Sequence, residues 1–290
     1  MREYKISGFA DEIADDLTTQ LTVLRKLNMK HMEMRGVDGD NLVFHNDDKV
    51  KEIKKRLDEA GVTLSALGTP FGKIGIEDSF DKHFEEFKRG VEVAHMMDCK
   101  NIRMFSFYIP TENRAENLVK FEGEVFDRIG RFVDYAKAND VVLLHENEKE
   151  IYGEMAKECR KLMDTFYCDN FKSIFDFANY VQAGQDTLEA YELMKDYTVY
   201  IHVKDANKAD GSVVPAGYGD GNVAKILGML FANGFDGFLS LEPHLFNFSG
   251  FAALERDGIS MQKKGSDVMS GPESFETAYN ALNKILRELK

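Results

Sequence analysis

The chain is 290 residues long, 43% hydrophobic and 30% charged, with a formal net charge of −13. That composition is ordinary for a soluble globular protein, and the length buries a large core without help from disulfides or a structural metal. An acidic chain with no clustered run of Lys and Arg is poorly suited to neutralising phosphates, so nucleic acid is not expected as a partner.

The first residues, MREYKISGFADEIADD, are charged early and contain no continuous apolar region, and no apolar stretch of about 18 residues follows anywhere. Neither a signal peptide nor a membrane span is expected, and the cytoplasm is the expected location. Cys99, Cys159 and Cys168 are odd in number and match no tight metal spacing, which reads as reduced thiols.

In chain order, strands are expected at Tyr4–Phe9, Lys30–Met34, Thr63–Leu67, Asn101–Phe105, Val141–His145, Lys172–Phe175, Thr198–Val203 and Phe238–Leu241. Helical periodicity falls between them, at Leu17–Leu27, Val50–Ala60, Phe80–Met97, Val119–Ala138, Met155–Phe166, Thr187–Met194 and Val223–Asn233. Phe84, Phe87, Val91 and Ala94 share one helix face, as do Val125, Ile129, Phe132 and Ala136, because residues three and four apart are neighbours on a helix. Gly61 is placed as a C-cap glycine. A last helix, Pro272–Leu289, opens with a first-turn proline after Ser270 and Gly271. Eight apolar strands, each followed by a helix, is the count of an α/β protein of the (β/α)8 TIM-barrel class, here one domain over residues 1–290. The competing architecture, an open doubly wound sheet, would usually carry a glycine-rich phosphate turn after the first strand, and SGFADE is not one. The stretch 244–271 is long for a loop after a strand and reads as a lid or a subunit contact, with a disordered insertion as the alternative.

In a barrel, side chains at the C-terminal ends of the strands converge on one face. Strand five ends in VVLLHENE, with His145, Glu146, Asn147 and Glu148; strand six, SIFDFAN, carries Asp176; strand seven, YIHVKDAN, carries His202, Lys204 and Asp205; strand eight, FLSLEPHL, carries Glu242 and His244. Between Glu146, Asp176, His202 and Glu242 the gaps are 30, 26 and 40 residues, each holding one helix and one strand. Four successive strands therefore each send one carboxylate or imidazole to the same rim. Three carboxylates and one imidazole suit a divalent cation such as Mn²⁺, Mg²⁺ or Co²⁺, and the absence of a thiol does not single out Zn²⁺. Taken one at a time, each has a plainer reading: a strand-end Glu or Asp as a loop carboxylate or helix cap, His202 as a satisfied core histidine.

These segments resemble the xylose-isomerase-like barrel family of sugar (phosphate) isomerases and epimerases, which also contains inosose dehydratases and endonuclease-IV-type enzymes. The matching stretches are FADEIADDLTTQLTVLRKLN, EMR at Glu33–Arg35, GTPFGKIGI, IRMFSFYIP, LLHENE, IFDFAN, YIHVKDAN, GYGDGNV and LSLEPH. Strand-end Glu, Asp, His and Glu in that order are the family's metal ligands, so the resemblance implies one divalent ion, Mn²⁺ ahead of Mg²⁺, Co²⁺ or Zn²⁺, on Glu146, Asp176, His202 and Glu242. One departure stands out. Many relatives have a His three residues after the strand-six Asp, where this chain has Asn179, so a three-metal endonuclease site is not expected.

The resemblance implies isomerisation or epimerisation of a keto sugar or sugar-like polyol through an enediolate, with Glu146 and Glu242 removing and returning the α proton. A metal-dependent lyase and a non-catalytic sugar-binding barrel are the alternatives. Lys204, Asp205, His244, Glu148, Arg35 and Asn179 are candidate substrate contacts. A local ion pair competes for Lys204 and Asp205, and a loop contact for His244. His145 or Glu148 is placed to orient the first ligand. Arg35, Lys73 and Arg103 stand near early strand ends, where they could hold a phosphate or carboxylate; they make no recognisable phosphate cradle, so phosphorylation of the substrate stays open. Gly217, Gly219 and Gly221 most simply form a tight loop, with close substrate approach as the alternative, and a homodimer or homotetramer is expected by analogy with relatives.

Overall fold

The computed structural model describes residues 4–246 and 269–289. Eight strands run Lys5–Gly8 (β1), His31–Met34 (β2), Thr63–Leu67 (β3), Asn101–Met104 (β4), Val142–Glu146 (β5), Phe171–Asp176 (β6), Thr198–Val203 (β7) and Phe238–Leu241 (β8). They form one parallel sheet in the order β1-β8-β7-β6-β5-β4-β3-β2, in which the first strand pairs with the last. A parallel bridge between Phe9 and Glu33 joins the β1 and β2 edges. Sequential order with the ends brought together is a TIM barrel and excludes the doubly wound sheet, whose strand order reverses at a switch point.

The helices are Leu17–Lys26 (α1), Asp47–Ala60 (α2), Phe80–Met96 (α3), Arg114–Ala138 (α4), Ala156–Phe166 (α5), Phe177–Gln182 (α6), Thr187–Met194 (α7), Val223–Ala232 (α8) and Gly271–Glu288 (α9). Their ends have local causes. Asp16 and Asn46 accept from Thr19 N and Lys49 N to start α1 and α2, while Gly61 closes α2 at φ 65, a conformation glycine adopts without strain. Ser270 and Glu273 form a reciprocal capping box at α9, with Pro272 in the first turn. α2 and α4 begin earlier than their apolar period suggests, since their first turns are polar and carry no periodic signal.

Alternation along the strands sorts the side chains into two cores. The larger lies between sheet and helices; within it Phe132 of α4 meets the rings of Phe87 at 4.5 Å, Phe80 at 5.3 Å, Phe84 at 5.9 Å and Phe107 at 6.0 Å. The smaller cluster is Ala66, Leu144, Ile174 and Tyr200, with Val142 and Phe238 packed against it. Leu144, Ile174, Tyr200 and Phe238 stand two or four residues before Glu146, Asp176, His202 and Glu242, so the same strand face that holds apolar residues lower down carries the four candidate donors at its upper end. Among the described residues no helix is long and apolar enough to cross a membrane. Cys99, Cys159 and Cys168 are free, the first two buried. Of the stretch 244–271, residues 247–268 lie outside the described residues.

Because Phe132 is fully buried in a ring cluster, Phe132→Ala leaves a cavity between α3 and α4. The expected loss is about 3–5 kcal/mol of unfolding free energy, measured by urea titration.

Candidate metal centre

Glu146 and Asp176 are the last residues of β5 and β6, His202 sits one residue from the end of β7, and Glu242 directly follows β8. Asp176 and His202 are register partners across the β6–β7 pair. All four are buried, and one donor atom from each lies within 4.8 Å of the others. Donors around an octahedral ion at about 2.1 Å stand about 3 to 4.2 Å apart, so the cluster is consistent with a divalent metal site after slight contraction.

His202 Nδ1 faces this cage. It lies 2.8 Å from Glu146 Oε1, 3.8 Å from Glu242 Oε2 and 3.9 Å from Asp176 Oδ2. Burial works against a charged imidazole here, but Glu146 and Glu33 outweigh it and hold the ring's pKa well above its ordinary value. Nδ1 must give up its proton to act as a ligand.

Asp176 serves two purposes. Its Oδ1 accepts from Asn179 N at 2.8 Å and caps α6, while the buried Oδ2 has no hydrogen-bond partner among the described residues. An unsatisfied buried carboxylate oxygen is costly, and this one is turned toward the other donors. Burial, with Glu242 and Glu146 adding to it and Lys204 opposing, pushes the Asp176 carboxyl up to about 7. The helix-cap reading and the ligand reading of this residue are thus compatible, one for each oxygen. Asn147 steadies the same corner, exchanging hydrogen bonds with the Asp176 backbone at 3.0 and 3.1 Å.

Cations surround the carboxylates. Lys204 Nζ reaches Glu242 Oε2 at 2.8 Å and Asp176 Oδ2 at 3.3 Å. Burial disfavours its charge, yet Asp176 and Glu242 keep it protonated above the ordinary lysine range. Arg103 donates to Glu146 Oε2 at 3.1 Å, and Arg35 to Glu242 Oε1 at 3.3 Å. Both guanidiniums stand over the Phe9 ring, Arg35 at 4.4 Å and Arg103 at 4.9 Å from its centroid, where the ring attracts the cations. Each outer glutamate therefore has its own arginine.

The structure brings together only some of the residues singled out from sequence. Asn179 Nδ2 is 3.4 Å from Glu146 Oε1, and His244 Nε2 lies 3.4 Å from both Glu12 Oε1 and Glu242 Oε1. Glu148 instead pairs with Lys73 at 2.9 Å; burial opposes its charge, but Lys73 and then Lys204 draw its carboxyl down to about 2. His145 does not orient Glu146. It points to the opposite face of β5, bonds Ser106 Oγ at 2.9 Å, and burial drives its pKa to about 3. Arg35, Arg103 and Lys73 are each engaged with a carboxylate of the chain, so they do not form a phosphate cradle.

Asp205 makes no ion pair with Lys204 among the described contacts. Its two oxygens accept from the backbone N–H of Ala206, Gly217, Gly219 and Gly221 at 2.8–3.0 Å. Four donors fill the lone pairs of one carboxylate, leaving none for a substrate hydroxyl. A Cβ at Gly219 or Gly221 would stand 2.6 Å from Asp205 Oδ1, which explains the glycines: the loop closes onto the carboxylate.

Three buried acids, Asp11, Glu12 and Glu33, were not singled out from sequence as site residues. Glu33 of β2 and Glu12, in the turn after β1, are both fully buried. Burial above all pushes the Glu12 carboxyl up to about 8, with Arg35 opposing. The available signal was a glutamate between Met32 and Met34 in a buried strand, and the acidic pair Asp11–Glu12 directly after the first strand.

A barrel whose strand ends bring a buried Glu, Asp, His and Glu together is consistent with a divalent metal site. The sequence profile of the Xylose isomerase-like TIM barrel family matches residues 21–264, and the chain belongs to that family. A search of curated proteins finds no match. Among solved structures it is similar to the IolI protein with a bound zinc atom, at 15% identity and TM-score 0.73 over 99% of each chain. It is similar to a xylose isomerase-like TIM barrel protein from Mycobacterium smegmatis in complex with magnesium, at 16% identity and TM-score 0.67 over 98% of each. It is also similar to 3-keto-D-glucoside 4-epimerase from E. coli, at 14% identity and TM-score 0.68 over 98% of this chain and 100% of that one.

Replacing Asp205 by Asn substitutes a donor for one acceptor opposite backbone N–H groups. The expected cost is about 1–3 kcal/mol in urea unfolding, with faster proteolytic cutting within 206–216.

Proposed function

We propose that this protein is a divalent-metal-dependent epimerase or isomerase of a keto sugar or sugar-like polyol, working by removal and return of the proton α to the carbonyl. The observation that carries the reading is the buried cage in which Glu146 and Glu242 both lie close to His202 Nδ1, each with a second oxygen held by its own arginine. Glu146, Asp176, His202 and Glu242 would hold the ion. The oxygen-rich donor set favours Mn²⁺, with Mg²⁺, Co²⁺ or Zn²⁺ as alternatives. The bound ion would polarise a carbonyl and its neighbouring hydroxyl as a Lewis acid.

The chain supplies the remainder. Glu146 is the base or acid on one side and Glu242 on the other. Arg103 and Arg35 fix their carboxylate planes; a glutamate that ligates the ion through its inward oxygen would take or return the proton on the other, the one its arginine contacts. Lys204, held against Glu242 and Asp176, is placed to donate to a substrate oxygen that gains negative charge. His244, whose side chain is 13% exposed beside the fully buried Glu12, reaches a substrate hydroxyl at the mouth. Asn179 holds Glu146 rather than serving as a further ligand. Arg35 and the Glu148–Lys73 pair act as positioning groups at the rim.

Elemental analysis should find about one divalent ion per chain, and D₂O exchange at the α carbon should appear with some member of a ketohexose and keto-polyol panel. Glu146→Gln and Glu242→Gln should each lower exchange by about 100-fold or more, with metal content followed in parallel. Conserved product mass identifies epimerisation, whereas loss of water or an aglycone identifies a lyase. Failure to retain any metal after reloading would sink the centre; retained metal with no exchange on any member would leave a sugar-binding barrel. Chelation should also lower Tm, since an ion present at 100 times its Kd stabilises the folded state by about 2.7 kcal/mol.

A further inference from the structure

Glu33 is as deeply buried as any of the four donors, yet it is not one of them. It enters the barrel interior from β2, while Met32 and Met34 on either side belong to the core beneath the helices. Its Oε2 accepts from the Tyr200 hydroxyl at 2.8 Å and from the Ser240 hydroxyl at 2.7 Å, and lies 3.1 Å from His202 Nε2. Tyr200 is tied in turn to Ser65 at 2.8 Å, and Ser65 lies 2.6 Å from Ser7. Strands β2, β7 and β8 thus meet on one carboxylate oxygen, with β1 and β3 joined through the serines. The imidazole is also fenced by the edge-on rings of Phe9 at 5.1 Å and Tyr200 at 5.8 Å.

The choice of nitrogen gives this arrangement its consequence. A neutral imidazole carries one N–H, and only the other nitrogen can ligate a metal. Nδ1 faces Glu146, Asp176 and Glu242; Nε2 faces Glu33. Glu146 Oε1, at 2.8 Å, would itself accept a proton held on Nδ1 and so favours the tautomer that cannot bind. An acceptor on the far side of the ring opposes that preference.

We propose that Glu33 is the positioning residue of the metal centre: by accepting the Nε2–H of His202 it fixes the tautomer that turns the Nδ1 lone pair into the cage, with Tyr200 and Ser240 holding its carboxylate in place. The inference rests on the reading of His202 as a ligand.

The test uses the full chain with Co²⁺ as the probe, read by its visible absorption and by competition for Kd. Glu33→Gln should weaken Co²⁺ binding by about 10–100-fold and alter the visible bands, because the amide is a weaker acceptor at the ring nitrogen. Tyr200→Phe and Ser240→Ala, which leave Glu33 in place but remove one of its donors, should weaken binding several-fold; they carry the test if Glu33→Gln does not fold. A Kd within about twofold of wild type with unchanged bands, in Glu33→Gln or in both substitute variants, overturns the inference while leaving the metal centre standing. Wild-type protein that takes up no Co²⁺ overturns the centre and this inference together.

Discussion

Three carboxylates within reach of one imidazole cannot be buried without compensation, because like charges in a poorly solvated interior repel strongly and each loses its hydration. The upper barrel is arranged around that constraint. Lys204 bridges Glu242 and Asp176, Arg103 holds Glu146, and Arg35 holds Glu242 together with Asp11 and Glu12. Phe9 offers its ring to both guanidiniums, a further attraction in a small volume. Asp176 Oδ2 stays incompletely answered: it has an ammonium at 3.3 Å but no hydrogen bond among the described residues. A buried carboxylate oxygen without a hydrogen bond, turned toward three other donors, is suited to a cation.

The lower half makes that placement rigid. The apolar cluster of Leu144, Ile174 and Tyr200 fills the interior beneath the donors, and the serine–tyrosine–glutamate chain above it fastens β2, β7 and β8 together. Register shifts at Met32/Glu33 and Ser173/Ile174 fall in the strands carrying Glu33 and Asp176. Bulges re-aim side chains without breaking a sheet. The loops over the rim are secured by side chains of the same region, as with Asp205, whose carboxylate draws the glycine loop 217–221 down beside Lys204.

Much of this was legible in the sequence. The eight strands came from apolar runs, and their bounds differ from the structure by a residue or two at most, as at β5, which runs on to Glu146, and β6, which runs on to Asp176. The four donors were legible because strand ends in a barrel share one rim. α6 was not: its six residues continue the apolar run of β6 and show no period of their own. Nor was the division of labour between neighbouring polar residues. Lys204 and Asp205 are adjacent in the chain, yet one enters the cage and the other leaves it, because successive side chains leave an extended backbone on opposite sides.

The sequence by itself determined the architecture and the order of the donors, since both follow from local periodicity and from the rule that parallel strands present their ends together. Only the tertiary structure decided which charge answers which. Glu33 meets His202 across 169 residues and Arg35 meets Glu242 across 207, and no local pattern encodes such pairs. They depend on closing the sheet so that β1 lies beside β8, which brings the two ends of the chain to one rim and turns separate strand-end acids into a single electrostatic unit.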